Sequence, residues 1–130
     1  MAKQRAAQGR QAARATRKTE LEPGDAIAFC AGDRWVAAVV VRTVTDKGGQ
    51  TPVIEWYDWT GQAPPDKDTL ADRPTRGGGV FLHGLWTRND PRGRWRFVAS
   101  GLPHAAASRG FSIHRVAELP VLVGDVGRAR

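Results

Sequence analysis

The residues of this chain that could do chemistry are three histidines, one cysteine, a few serines and scattered carboxylates, and their spacing argues against catalysis. His83, His104 and His114 fall on separate predicted elements, and none has a second His or an acid at metal-ligand spacing on one helix. Cys30 is the single cysteine, which excludes an intramolecular disulfide or a Cys-based zinc cluster; set in Ala28-Phe29-Cys30-Ala31, it reads as a small buried hydrophobe. Ser100, Ser108 and Ser112 sit in no Gly-x-Ser-x-Gly elbow. Gly77-Gly78-Gly79 leads into a strand-like run rather than a Lys-Ser/Thr and a helix, so it makes no phosphate cradle. Glu55 and Asp58 are close enough to form a carboxylate pair, but such pairs in a charged chain ordinarily face solvent. The expectation is a non-catalytic protein without metal or cofactor.

What remains is Glu55-Trp56-Tyr57-Asp58-Trp59. Side chains alternate across a strand, so three aromatics in four positions cannot all enter one side. One reading places Trp56 or Tyr57 in the core and Trp59 over one end of the fold. A second makes Trp59, beside Asp58, an anchor for a partner, since large aromatics dominate interface energetics. A third builds an aromatic cage for a methylated cation, with Trp35 as one wall.

The elements that must position these residues are strands. Pro23-Gly24-Asp25 turns into a first strand at 25–31, and Gly32-Asp33 turns into a second at 34–44, apolar on both faces over much of its length. A third, at 51–58, puts Val53, Glu55 and Tyr57 on one face and Ile54, Trp56 and Asp58 on the other. Residues 60–79, rich in Pro, Gly and charge, read as a long exposed loop with one short helical turn near 68–71. Further strands follow at 80–86, 94–99 and 111–116; in the fifth, Trp95, Phe97 and Ala99 point inward while Arg94 and Arg96 face water. The pattern predicts a mainly β fold of five to six strands, an SH3- or Tudor-like barrel or a curled antiparallel sheet.

Charge divides the chain. Residues 1–20 hold six basic groups and one acid and no large apolar residue before Leu21 except the first Met, so they read as a flexible or partly helical tail. Residues 21–123 form the single β domain, and 124–130 a C-terminal tail. Within the domain, 21–72 carries nine acids against four bases, and 73–123 eight bases against two acids. No apolar run is long enough to span a membrane, and the start lacks the apolar stretch of a secretory signal. With its lone cysteine, the chain is expected in a reducing cytoplasm, away from membranes.

Pro23-Gly24-Asp25-Ala26-Ile27-Ala28-Phe29, then Gly32-Asp33-Arg34-Trp35 with the small and aliphatic residues after it, Trp56-Tyr57-Asp58, Arg92-Gly93-Arg94-Trp95-Arg96-Phe97-Val98 and Gly101-Leu102-Pro103 follow one another in a telling order. Over about residues 22–103 this succession resembles the immunity protein 26 family of bacterial polymorphic toxin systems. The Pro- and Gly-rich loop and the basic tail depart from that pattern. The resemblance implies an inhibitor that neutralises a cognate protein toxin by direct binding. Acids of the first half (Asp33, Glu55, Asp58, Asp66 and Asp68), with Trp59 as anchor, would then oppose a basic toxin surface. The alternative is a nucleic-acid-associated module in which Lys3, Arg5, Arg10, Arg14, Arg17 and Lys18 contact phosphates, aided by Arg92, Arg94 and Arg96.

Overall fold

Val36-Ala37-Ala38-Val39-Val40-Val41 is apolar at every position, which a strand tolerates only when both its faces are covered. The computed structural model describes residues 17–105 and 110–128, and there this run lies in the middle of a six-stranded sheet. The run belongs to β2 (Arg34–Asp46), which pairs on one side with β1 (Ala26–Ala31) and on the other with β3 (Gly49–Gly61). β4 (Gly79–His83) pairs with β3, β5 (Trp95–Ala99) with β1, and β6 (Phe111–Arg115) with β4, giving the order β5-β1-β2-β3-β4-β6. The β4–β6 pair is parallel, while all other neighbours are antiparallel.

The strands stand close to their expected positions, but the barrel does not form and the sheet is mixed rather than antiparallel. β5 and β6 end up on opposite margins, so nothing closes the sheet. Closure is unnecessary because each face is covered separately. On the first face Ile27, Phe29, Val40, Ile54, Trp56 and Trp95 lie under Leu21, Leu85 and a C-terminal helix. On the second, Ala37, Val39, Val53, Tyr57 and Trp59 lie under Leu70 and Leu102. β3 alternates as expected: Ile54 and Trp56 belong to the first cluster, Val53 and Tyr57 to the second.

Two further expectations are corrected. The segment at 124–130 does not begin as a tail: after a 3₁₀ turn (Val116–Glu118), α2 (Leu119–Arg128) carries the chain across the predicted boundary. Its Leu119, Val123 and Val126 recur at helical spacing and are buried against the sheet. Nor is 60–79 an exposed loop throughout. β3 continues to Gly61, and α1 (Lys67–Ala71) buries Leu70. Residues 74–76 then run back along β3, with Asp58 N donating to Pro74 O (2.9 Å) and Arg76 N to Trp56 O (2.8 Å). Arg76 Nη1 reaches Val126 O at 3.2 Å and so joins this returning strap to α2.

The junction with the basic tail is also fixed. Gln50 N donates to Arg17 O (2.7 Å) and Glu20 N to Trp86 O (2.6 Å). Gly49, at φ +115°, lies so close to Arg17 that a Cβ there would collide with its carbonyl oxygen. Lys3, Arg5, Arg10 and Arg14 lie outside the described residues.

Candidate interaction site

The acids chosen from sequence are spread out and mostly engaged. Asp33 is exposed in the β1–β2 turn. Glu55 is buried on the second face and accepts a hydrogen bond from Thr75 Oγ1 at 2.8 Å. Asp58 is half-buried and pairs with Arg76 Nε at 3.8 Å. Asp66 caps α1: its Oδ1 accepts from Thr69 Oγ1 (2.6 Å) and Thr69 N (2.8 Å), and these bonds, the hydroxyl's first, hold its carboxyl below the usual range. Asp68 is exposed in the first turn of that helix. The sheet therefore does not gather these residues into one patch.

Trp59 departs further from the anchor expected of it. It is 9 % exposed and packed so closely over Gly61 that a Cβ there would lie 2.5 Å from the ring. Trp56 is buried on the other face, edge-on to Phe29 with ring centroids 5.2 Å apart. Trp35, the wall proposed for a cation cage, is half-buried and packs against the cluster that holds Trp59. Tyr57 is buried with no hydrogen-bond partner for its hydroxyl, and burial pushes its pKa up to about 12.

The basic residues divide likewise. Arg94, half-buried just before β5 and not on its water-facing side, is committed to Asp90, with Nε–Oδ2 at 2.5 Å and Nη2–Oδ1 at 3.2 Å. That pairing, aided by the Arg94 amide, holds the buried Asp90 carboxyl below its usual range despite the opposing effect of desolvation. Arg92, Arg96 and Lys18 are exposed, and the Arg17 guanidinium lies 3.9 Å from the centre of the Trp86 ring. Cys30 is exposed at the turn end of β1 rather than buried, its thiol donating to Gly32 O at 3.1 Å. Among the described residues no group of three or more His, Cys, Asp or Glu side chains could hold a metal. None of the described helices is long and apolar enough to cross a membrane.

A concave surface lies elsewhere, on the second face beside β6. β2, β4 and β6 together line a groove of about 380 Å³ with Val44, Asp46, Phe81, His83, Phe111, Ile113 and Arg115. Phe81 and Phe111 stack with centroids 5.5 Å apart and planes 22° from parallel. Over Phe111, at 5.1 Å, sits the Arg42 guanidinium, whose Nε is buried without an acceptor. His83 meets the Trp86 ring edge-on at 5.8 Å, and Trp86 in turn lies under the Arg17 guanidinium. Ile113 is 70 % exposed, a large apolar side chain left in water at the margin of the sheet. Asp46 is the only acid in the lining, and its Oδ1 already accepts from Gly48 N at 2.8 Å. Chemically this is an apolar floor edged by Arg115, His83 and Asp46.

One signal for it stood in the sequence. Phe111-Ser112-Ile113-His114-Arg115 alternates apolar and polar residues, and Arg42 interrupts the apolar run of β2. That these two segments share a groove depends on the parallel pairing of β6 with β4, which no local pattern announces. The chain matches no family model, no curated protein and no solved structure.

Proposed function

We propose that the protein acts by binding another protein, as a non-catalytic inhibitor that neutralises a cognate toxin in the manner of the immunity proteins its sequence resembles. The observation that carries the reading is the groove beside β6: apolar side chains, one of them 70 % exposed, are gathered on a sheet margin and ringed by charge. Solvent-facing apolar clusters with polar rims are characteristic of protein interfaces. The acidic face first expected to meet a basic toxin contributes less than its composition suggests, because Glu55 and Trp59 are buried and Asp58 and Asp66 are bonded within the fold. Co-expression with a candidate toxin, sought among the genes beside the one that encodes this chain, tests the reading. Protection of growth and a one-to-one complex by calorimetry are expected, and a toxin that kills equally well in the presence of the wild-type protein overturns it.

A nucleic-acid reading draws on the exposed Arg92, Arg96 and Lys18 and on Arg17 stacked over Trp86. It loses Arg94, which Asp90 holds. Binding of this kind would weaken steeply with rising salt, whereas the protein complex proposed above would change less.

A further inference from the structure

The backbone groups along the edge of a sheet are a template for another strand, and proteins usually cover them. Among the described residues one edge is covered and the other is not. Along β5 the preceding loop supplies the partners: Asp90 N donates to Trp95 O (3.2 Å) and Phe97 N to Asn89 Oδ1 (3.0 Å). Along β6, among the described residues, only the ladder to β4 engages the backbone of Ser112, Ile113 and His114. Arg115 N alone is capped, by Glu118 Oε2 at 2.6 Å. This open edge runs beside the groove, with Phe111, Ile113 and Arg115 alternating toward it.

Charge indicates what would fit. Arg42 has no carboxylate within ion-pair distance among the described residues, and Arg115 is exposed. We propose that the β6 edge and its groove take an extended, acidic segment of the partner protein as a seventh strand. Main-chain bonds to β6 would hold it, an aliphatic side chain would cover Ile113 and Phe111, and a carboxylate would face Arg42 and Arg115. The proposal deepens the binding function above and rests on it. A second copy of the chain fits poorly. Pairing two β6 strands about Ile113 brings each Arg115 to the other copy's Phe111, already covered by Arg42, and so crowds two guanidinium groups onto one ring.

The test pans a phage-displayed library of random nonapeptides against the full chain and measures the enriched peptides, synthesised and labelled, by fluorescence anisotropy. Peptides alternating Val, Ile or Phe with Asp or Glu are expected. Their affinity should fall at least about tenfold with Ile113→Glu or with Arg115→Glu, both at exposed positions, and stay unchanged with Arg96→Glu near the covered edge. Amide exchange at 112–114 should slow when peptide is added. Absence of enrichment, enrichment of basic peptides, undiminished binding by Ile113→Glu, or protection along β5 instead of β6 overturns the proposal. So does a wild-type dimer that Ile113→Glu splits, which would give the edge to a second copy. A toxin neutralised equally well by wild type and Ile113→Glu removes the seventh strand and leaves the inhibitor. A wild-type chain that takes acidic peptides through β6 but protects no cell retains the strand site and removes the toxin.

Discussion

The two margins of the sheet are both five-residue strands, yet they are finished in opposite ways. At β5, residues 87–94 fold back over the strand: Trp95 Nε1 donates to Thr87 O at 2.9 Å, Arg94 clasps Asp90, and the Arg88 guanidinium lies 4.7 Å from the centre of the Phe97 ring. At β6 the strand is exposed at Ser112, Ile113 and Arg115, and the nearest helix packs over the first face, away from the groove. The contrast sets a margin finished by its own preceding loop against one that the proposed function assigns to contact. Substitutions at β5 should therefore unfold the protein, and substitutions at β6 should leave it folded and deprive it of its partner.

The largest effects should come from the aromatic core on the β5 side and its counterpart on the second face. Trp95→Ala and Trp59→Ala should each cost about 3–5 kcal/mol, read by chemical denaturation, because each empties a buried site. If Trp59→Ala melts like wild type, its burial against Gly61 is incidental and the residue returns as an anchor candidate. Next comes the clasp. Asp90→Ala leaves Arg94 without its acceptor and should cost about 1–3 kcal/mol. The Asp90 carboxyl is held below its unfolded value, so its contribution is full above about pH 4 and is lost as pH falls through the folded value. Asp90→Asn should flatten the acid limb of a plot of melting temperature against pH, and an unchanged limb would show that the clasp contributes little.

Tyr57 offers a smaller and sharper test. It is the only tyrosine of the chain, so an ultraviolet titration reads it alone and should find ionisation near pH 12. A raised acid pKa implies stability that is full below about pH 10 and falls between there and the folded value. Tyr57→Phe removes a buried hydroxyl with no partner and should be neutral or stabilising by up to about 1 kcal/mol. The smallest effects should be Ile113→Glu and Arg96→Ala, each within about 0.5 kcal/mol of wild type. Strong destabilisation by Ile113→Glu would mean that β6 is structural and the contrast between the margins false.

Local patterns made the strands legible. The β1–β2 hairpin follows from Gly32-Asp33, and the alternation in Val53-Ile54-Glu55-Trp56-Tyr57 sorts those residues onto the two faces where they are found. The C-terminal helix was hidden because Leu119-Pro120-Val121-Leu122-Val123-Gly124 carries a proline, two β-branched residues and a glycine; packing overrides that weak propensity, and Pro120 stands in the first turn, where a missing N–H costs little. Cys30 was misplaced and the burial of Trp59 left open for a common reason. Each sits at a strand end, where burial depends on what crosses from elsewhere, and alternation says nothing about that. The groove was illegible because its walls come from strands some 30 residues apart, joined by a crossover the sequence does not mark.

The parallel pairing of β6 with β4 also orders events in time. Hairpin β2–β3 closes over a four-residue turn, whereas between β4 and β6 the chain runs to the far margin and back through β5. Loop closure of that kind is costly until distant contacts repay it, which makes such pairings slow. A ribosome must release residues up to Arg115 before the groove has its third wall. On the proposed function, a chain still in synthesis would lack the surface its partner needs until β6 has emerged.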